Sequence, residues 1–347
     1  MTEAVAEALG VIDRLHPPGP GAPDAGRYKE WHHFVLFDGG ERTVIVNLSV
    51  DGDPSGPGGQ AKVVLLAHGP EGWSGGVDLY AGGEAAVSGR SPGLRVGRQR
   101  IAFRAGRYRV AAALRDGSMA VRADLVPAAA PAMIWHDTPV GSGYVNWLIV
   151  PDLAVEGTAR LPGWRGPLDG WRGYHDHNWG RWWWGEDFGW QWGVAREPAA
   201  ADGGGPGLTV VYDRTSDRGG VVAKEHTLSL WSGTELVRVF ARGELRARMR
   251  GRFDGGPVRR VPGVMGLLAQ GTASAVPGCV EVEAGDGTDR LALRFTPASV
   301  VEVVVPSEMG AGFVRLAEVV GDMRVEGRAA GRDVAFAARA VFEFMGA

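Results

Sequence analysis

The sequence contains almost no cysteine, and this limits the classes of protein to which it can belong. Cys279 is the single cysteine among 347 residues. An intrachain disulfide is therefore impossible, which excludes the small disulfide-rich scaffolds typical of secreted proteins. A lone cysteine in an apolar strand-like segment is typical of a core residue, and no base lies near it in sequence. We therefore expect no catalytic thiol here.

Long apolar runs and concentrations of positive charge are also missing. No stretch approaches about 20 uninterrupted apolar residues, so we expect no transmembrane helix. The N-terminal segment MTEAVAEALGVIDRLH lacks the basic start and apolar centre of a secretory signal. The net charge is −3 and the arginines are scattered among acidic residues, so no nucleic acid partner is expected. These features favour a cytoplasmic protein with at most peripheral membrane contact, and they leave its oligomeric state open.

Glycine, proline and short β-prone runs, by contrast, are abundant. The 55 glycines and 21 prolines separate segments rich in Val, Leu and aromatic residues, such as RTVIVNLSV and RYRVAAALR. In the latter, alternation places Tyr108, Val110, Ala112 and Leu114 on one face of a strand. Short strands recurring about every 10 residues, with turns between them, predict an all-β fold of antiparallel sandwiches or barrels.

The order of these segments predicts three parts. An N-terminal helix over 3–15 and a Pro/Gly-rich linker occupy 1–26, and two β domains follow at 27–185 and 186–347. At least seven strand candidates lie on each side of residue 180 or so, which favours two barrels. A barrel of about 8 strands can hold one apolar ligand in its mouth.

Two later segments predict how neighbouring strands are connected. The small, flexible stretch AREPAAADGGGPG at 195–207 is compatible with a hairpin loop or with a domain boundary. Two apolar runs near the end of the chain, Met323–Arg328 and Val334–Phe344, are joined by AAGRD and predict a closing hairpin.

The segment GYHDHNWGRWWWGEDFGWQW at 173–192 is the most informative in the chain. It holds six of the 13 tryptophans and two of the eight histidines, together with Asp176, Glu186 and Asp187. Ionisable groups crowded among indoles must find partners or lose their charge. A surface loop does not need the tryptophans, and an ordinary core does not need the histidine and aspartate. The combination therefore indicates a site where an acid meets an apolar ligand.

If the start of this segment is extended, its side chains divide into two faces. One face carries Tyr174, Asp176 and Asn178, and the other carries His175, His177 and Trp179. Burial among indoles is expected to raise the pKa of Asp176, because desolvation disfavours the carboxylate. A carboxyl group kept protonated near neutral pH is a general acid. The histidines are placed to brace the backbone or the neighbouring acid.

The tryptophans admit more than one function. Indole faces stabilise a nearby cation by about 0.5–2 kcal/mol each, which suits a carbocation formed by protonation of an alkene. They suit plain binding of a long apolar molecule equally well. Trp182–Trp184 are also explained by the filling of a barrel end or a domain interface.

A metal site is the main alternative use of the histidines. His-x-His on a strand is a metal-ligand spacing, but it needs a third ligand. The candidates are distant in sequence: His32, His33, His136 and His226. Because no second tight cluster appears, we predict no metal. The sequence also has no G-x-S-x-G elbow, no P-loop and no strand–turn–helix context for a dinucleotide, so we predict no cofactor.

The string GYHDHNWG at 173–180 resembles the signature of the carotenoid 1,2-hydratase (hydroxyneurosporene synthase) family and its lipocalin-like relatives. Weaker similarity comes from KEWHHF at 29–34 followed by VIVNLSV at 44–50. The segments GRYRV…ADLVP at 106–127 and VEGRAAGRDVAFAARAVFEF at 325–344 add to it, so the resemblance spans most of the chain.

This resemblance implies two consecutive lipocalin-like barrels and cofactor-independent chemistry on a long isoprenoid. It implies that Asp176 donates the proton, with Tyr174 beside it, and that water captures the cation. Trp147 in YVNWLIVP matches a tryptophan associated with the hydratase site, but the histidine associated with it has no counterpart in this segment. The wider group also includes cyclases and pericyclic enzymes.

The resulting prediction is an enzyme that hydrates or cyclises a carbon–carbon double bond of an apolar isoprenoid or polyene. The predicted catalytic residues are Asp176, Tyr174, His175 and His177. The predicted substrate-binding residues are Glu30, Trp31, His33, Trp147, Asn178 and Trp179. The alternatives are a pericyclase that only folds a polyene into a reactive shape and a non-catalytic carrier of a hydrophobic ligand.

Overall fold

The computed structural model describes residues 3–19, 21–56, 58–198, 207–268 and 275–346. Contacts between Cα atoms divide the chain into two compact units, Met1–Trp183 and Trp184–Ala347. The boundary proposed from the sequence, between residues 185 and 186, falls two residues after this division. Neither described helix combines the length and apolar content that crossing a bilayer requires.

The first unit is one antiparallel sheet preceded by a short helix. The helix α1 spans Glu3–Ile12, and a 3₁₀ turn spans Ala25–Arg27. The strands are β1 Tyr28–Phe37, β2 Thr43–Asp51, β3 Gln60–Gly69, β4 Gly72–Ala81, β5 Ala85–Val87, β6 Gly93–Val96, β7 Gln99–Arg104, β8 Arg107–Ala113, β9 Ala120–Pro127, β10 Ala132–Val140, β11 Gly143–Leu161, β12 Trp164–Pro167 and β13 Arg172–Arg181.

The strand order places the chain's most informative segment in the centre of this sheet. Neighbouring strands run β4-β3-β2-β1-β13-β11-β9-β8-β7-β6-β5, with β10 and β12 also paired to β11. The last strand of the unit, β13, thus returns to pair with the first, β1, and with the long strand β11. One face of the sheet encloses an apolar core that includes Phe34, Leu36 and Tyr108, with Leu9 of α1 packed into it.

The second unit repeats this plan with fewer strands. It contains helix α2 Gly263–Leu268, a 3₁₀ turn at Arg242–Glu244, and strands β14 Gly189–Arg196, β15 Leu208–Ser216, β16 Ala223–Ser232, β17 Glu235–Ala241, β18 Leu245–Arg250, β19 Arg259–Val261, β20 Cys279–Gly285, β21 Arg290–Pro306, β22 Phe313–Ala329 and β23 Arg332–Gly346. The order is β17-β16-β15-β14-β23-β22-β21-β20-β18. Again the last strand, β23, pairs with the first strand of the unit, β14.

The local predictions compare with the structure as follows. The predicted N-terminal helix is present as α1, which ends at Ile12 rather than residue 15. The closing hairpin is confirmed, since β22 and β23 pair from Ala329–Arg332 outward. The stretch at 195–207 connects the paired strands β14 and β15, which makes it a hairpin connection; its residues 199–206 lie outside the described part. The face alternation of β8 is confirmed, with Tyr108, Val110 and Ala112 buried.

Candidate active site

Strand β13 is extended over the whole of the segment GYHDHNWG, as the sequence analysis assumed. It lies between β1 and β11, with Asp176 opposite His33 on one side and Ile149 on the other. Gly180 allows the close approach of β11, because a Cβ atom there would lie 2.0 Å from the carbonyl oxygen of Tyr144. Side chains of β13 therefore alternate between two faces of a closely paired sheet.

The first face, which we call the Asp176 face, carries Tyr174, Asp176 and Asn178. All three side chains are buried, and Asp176 is only 1% exposed. Asn178 Nδ2 donates a hydrogen bond of 2.6 Å to Asp176 Oδ1. A register shift of β11 between Val150 and Leu153 lies opposite Tyr174; such bulges are common next to active sites, where they redirect side chains.

Aromatic rings share the Asp176 face. Trp147 of β11 is the cross-strand partner of Asn178, and its ring meets Trp135 edge to face at a centroid distance of 4.6 Å. Trp31 of β1 is the partner of Asn178 on the other side, and its ring contacts Trp182 edge to face at 5.8 Å. The structure thus brings two of the three predicted tryptophans, Trp31 and Trp147, to the face of the predicted acid.

His33 is the remaining predicted residue on this face. It lies opposite Asp176 in the strand register and is nearly fully buried. Burial, with a smaller contribution from His175, lowers the pKa of His33 to about 3. The ring is therefore neutral at physiological pH and supplies no positive charge to hold Asp176 ionised.

The opposite face of β13 carries His175, His177 and Trp179, and here the sequence analysis missed the main partner. Asp13, at the end of α1, is fully buried against the two histidines. Its Oδ2 lies 3.2 Å from His175 Nε2 and its Oδ1 lies 2.9 Å from His177 Nδ1. Tyr108 donates a hydrogen bond of 2.6 Å to Asp13 Oδ2.

Glu30 and His32 complete this group, which we call the Asp13 cluster. Glu30 accepts hydrogen bonds from Tyr28, His177 and the backbone N–H of His16. The rings of His32 and His177 stack at a centroid distance of 4.3 Å. The Asp13 cluster consists of Asp13, His16, Tyr28, Glu30, His32, Tyr108, His175, His177 and Trp179.

The two carboxyl groups of the Asp13 cluster are paired with histidines, and this pairing keeps them ionised. Burial opposes ionisation, but His32 and His175 lower the pKa of Asp13 well below its ordinary value. Hydrogen bonds from His16 and His177 likewise overcome burial and lower the pKa of Glu30. Burial disfavours a charged His177, yet the two carboxylates raise its pKa to about 9. Both acids are therefore ionised at neutral pH and neither is available as a general acid.

The predicted site residues thus separate into two groups. Asp176, Tyr174, Asn178, Trp147, Trp31 and His33 share the Asp176 face, whereas His175, His177, Trp179 and Glu30 belong to the Asp13 cluster. His175 braces the backbone, since its Nδ1 lies 2.9 Å from the carbonyl oxygen of His33. None of these four lies on the face of Asp176, so the structure does not bring the two histidines predicted as catalytic, His175 and His177, to the predicted acid.

Of the four histidines considered as a third metal ligand, the structure brings His32 to the His175–His177 pair. His33 lies on the other face, the side chain of His136 is 75% exposed, and His226 bonds the carbonyl of Arg242 in the second unit. Ligand atoms of Asp13, His32 and His177 all lie within 4.8 Å of one another, as do those of His16, Glu30 and His177. The Asp13 cluster therefore has the donor atoms of a metal site.

Two cavities lie elsewhere in the units. One, of about 370 Å³, is lined by residues of the second unit that include Arg218, Glu302 and Arg315. The other, of about 600 Å³, is lined by residues of the first unit that include Tyr80 and Arg115. Neither lining includes Asp176, and the charged groups in both suit a polar ligand better than a polyene.

Comparison with known proteins identifies the fold. No family model and no curated protein matches the chain. Among solved structures, a Nitrosomonas europaea protein assigned as AttH is 15% identical, with a TM-score of 0.62 over 96% of this chain and 99% of that one. Kievitone hydratase from Nectria haematococca is 10% identical, with a TM-score of 0.60 over 97% of this chain and 94% of that one. The chain therefore has an all-β fold of two lipocalin-like antiparallel barrels.

Proposed function

We propose that the chain is a hydratase-type enzyme that protonates a carbon–carbon double bond of an apolar isoprenoid or polyene, with Asp176 as the proton donor. The observation that carries this proposal is the contrast between the two faces of β13. Asp176 is buried and accepts a hydrogen bond from the amide of Asn178, whose strand partners are Trp31 and Trp147. Asp13 and Glu30, in contrast, are held ionised by histidines. A carboxyl group in the first environment is the one suited to remain protonated.

The geometry favours a separate role for each side chain on the Asp176 face. Asn178 donates to Oδ1 of Asp176, so the acidic proton belongs on Oδ2. In the reaction this proton forms a new C–H bond while the π bond breaks, which leaves a cation on the more substituted carbon. Trp147 and Trp31 provide ring faces for that cation. A water oxygen then bonds to the cation and returns a proton to the Asp176 carboxylate.

Hydration is favoured over other fates of the cation by the shared fold of kievitone hydratase, whose name places it among hydratases. Cyclisation differs only in that a second double bond of the substrate, rather than water, captures the cation. Neither reaction uses a cofactor in this proposal, because the proton and the water supply all the atoms that are added.

The proposal is tested by incubating the purified full chain with linear polyenes and isoprenoids in deuterated water and reading the products by mass spectrometry. We expect the wild type to introduce deuterium at carbon. Asp176→Asn keeps an acceptor for Asn178 but cannot donate an acidic proton. Loss of a general acid typically costs a factor of about 10²–10⁴ in rate, and we expect a loss in this range. Asp124→Asn, at a partly exposed carboxylate of β9, is the matched control and should retain full turnover.

The other outcomes discriminate between functions. A product that contains deuterium and forms equally well with Asp176→Asn would remove the acid role from this residue. An isomerised product without deuterium would instead indicate a pericyclase. Ligand that is bound and recovered unchanged from both proteins would indicate a carrier.

A further inference from the structure

The Asp13 cluster contains three fully buried ligand-type side chains, Asp13, His32 and His177, whose ligand atoms all lie within 4.8 Å of one another. His32 Nδ1 lies 3.8 Å from Asp13 Oδ1, and His177 Nδ1 lies 2.9 Å from the same oxygen. Ligands bound to a common ion at 2.0–2.1 Å in a tetrahedron lie about 3.3 Å apart. The observed spacings bracket this value.

The contact between Asp13 Oδ1 and His177 Nδ1 is poorly explained as an ordinary hydrogen bond. The two atoms are 2.9 Å apart, yet within the described residues neither atom has a hydrogen bond of acceptable geometry. Two ligand atoms that lie close together without pointing at each other are the arrangement expected when both point at a third atom. We propose that Asp13, His32 and His177 bind one divalent transition-metal ion of the zinc class.

The surroundings of these ligands have the arrangement that metal sites require. His177 Nε2 lies 2.9 Å from Glu30 Oε1, which forms a carboxylate–histidine pair behind the inner nitrogen. His175 Nε2 and the Tyr108 hydroxyl contact the other oxygen of Asp13, Oδ2, at 3.2 and 2.6 Å. Such outer partners fix the orientation and the tautomer of metal-binding side chains.

Charge and burial indicate the kind of ion and its role. A divalent ion is balanced by the two carboxylates, Asp13 and Glu30, both of which are fully buried. Two imidazoles and one carboxylate favour zinc-like ions over calcium or magnesium. All three ligands are fully buried, so the site is closed to a substrate and the role of the ion is structural. The ion would hold the end of α1 against β1 and β13. Its ligands lie on the opposite face of β13 from Asp176, so the ion takes no part in the proposed reaction.

The test measures binding of Zn²⁺ and Co²⁺ to the full chain after dialysis against a chelator and reloading. We expect one equivalent of either ion by elemental analysis, and visible bands of four-coordinate Co²⁺. His32→Gln and Asp13→Asn should abolish stoichiometric binding. Glu30→Gln, which alters an outer partner, should weaken it by about 10–100-fold. The matched control is His33→Gln, a buried histidine one residue from His32 on the other face, which should bind as the wild type does.

Thermal unfolding separates loss of the site from loss of the fold. Zn²⁺ should raise the unfolding temperature of the wild type and of His33→Gln but leave that of His32→Gln unchanged. Folded wild-type protein that takes up no stoichiometric ion would overturn the proposal. Binding that survives His32→Gln but is lost in His16→Gln would also overturn it, because the ion would then belong to the set His16, Glu30 and His177.

Discussion

The last strand of each unit occupies the same place in its sheet, yet the two strands carry different chemistry. β13 pairs with β1 and β11, and β23 pairs with β14 and β22. On the side that faces the core, β13 presents His175, His177 and Trp179, whereas β23 presents Ala340, Phe342 and Phe344. In the second unit Phe342 stacks on Phe295 at a centroid distance of 4.1 Å.

The difference shows that the fold does not require the polar group. On the corresponding face of β23 the second unit has only apolar side chains, whose burial costs no desolvation of charge, while the buried Glu343 lies on the other face of that strand. In the first unit, ionised Asp13 and Glu30 have lost their hydration, and buried ion pairs often contribute less stability than well-packed apolar side chains. The polar group is therefore better explained by a binding or specificity role than by a need for stability.

Glu30→Ala should have the largest effect on stability. The substitution removes the carboxylate that pairs with His177 and accepts the hydrogen bond from Tyr28. The buried charge of His177 and the buried hydroxyl of Tyr28 then both lose this partner. Breaking a buried ion pair typically costs about 3–5 kcal/mol of unfolding free energy, and we expect that loss in metal-free protein by denaturant unfolding. Glu156→Ala, at an exposed position of β11, should change it by no more than about 0.5 kcal/mol. Equal losses in both variants would contradict the account.

Tyr108→Phe should have an intermediate effect. The change removes the hydroxyl that donates to Asp13 at 2.6 Å and leaves the ring packed in the core of the first unit. Removing one partner of a buried charged acceptor costs about 1–3 kcal/mol. Hydrogen exchange followed by mass spectrometry should locate the weakened protection in the first unit. Unchanged stability would indicate that this hydroxyl is not part of the buried network.

Tyr212→Phe, in the second unit, should have the smallest effect. Tyr212 is fully buried, but its hydroxyl has no hydrogen-bond partner among the described residues. Its removal should therefore leave the free energy of unfolding within about 0.5 kcal/mol of wild type or raise it slightly. A loss as large as that of Tyr108→Phe would show that the two cores do not differ in the way described.

The sequence was sufficient to predict the class of fold and the two faces of β13. Frequent glycines between short runs and period-two alternation specify strands, and the alternation in GYHDHNWG is enough to place Asp176 on one face and His175 and His177 on the other. It did not reveal Asp13. An aspartate at the end of a helix faces the negative end of the helix dipole, and this unfavourable position was the only local signal. Its partners are spread from His32 in β1 to His175, 162 residues away in β13, and the pairing of β1 with β13 is what brings these histidines together.

The assignment of roles to the histidines was limited for the same reason. His-x-His was recognised as a ligand spacing, but a third ligand could not be chosen because strand register is not fixed by composition. The register places His32 directly opposite His177 and leaves His33 beside Asp176. A shift of one residue would have exchanged the two histidines between the faces.

The central claim is that the two faces of β13 have separate functions, and one paired measurement tests it most directly. Deuterium incorporation and the unfolding temperature are measured for Asp176→Asn and His177→Gln of the full chain. The account expects Asp176→Asn to lose incorporation at an unchanged unfolding temperature, and His177→Gln to keep incorporation at a lowered one. Full incorporation by Asp176→Asn, or its loss from folded and otherwise unchanged His177→Gln, would contradict the claim.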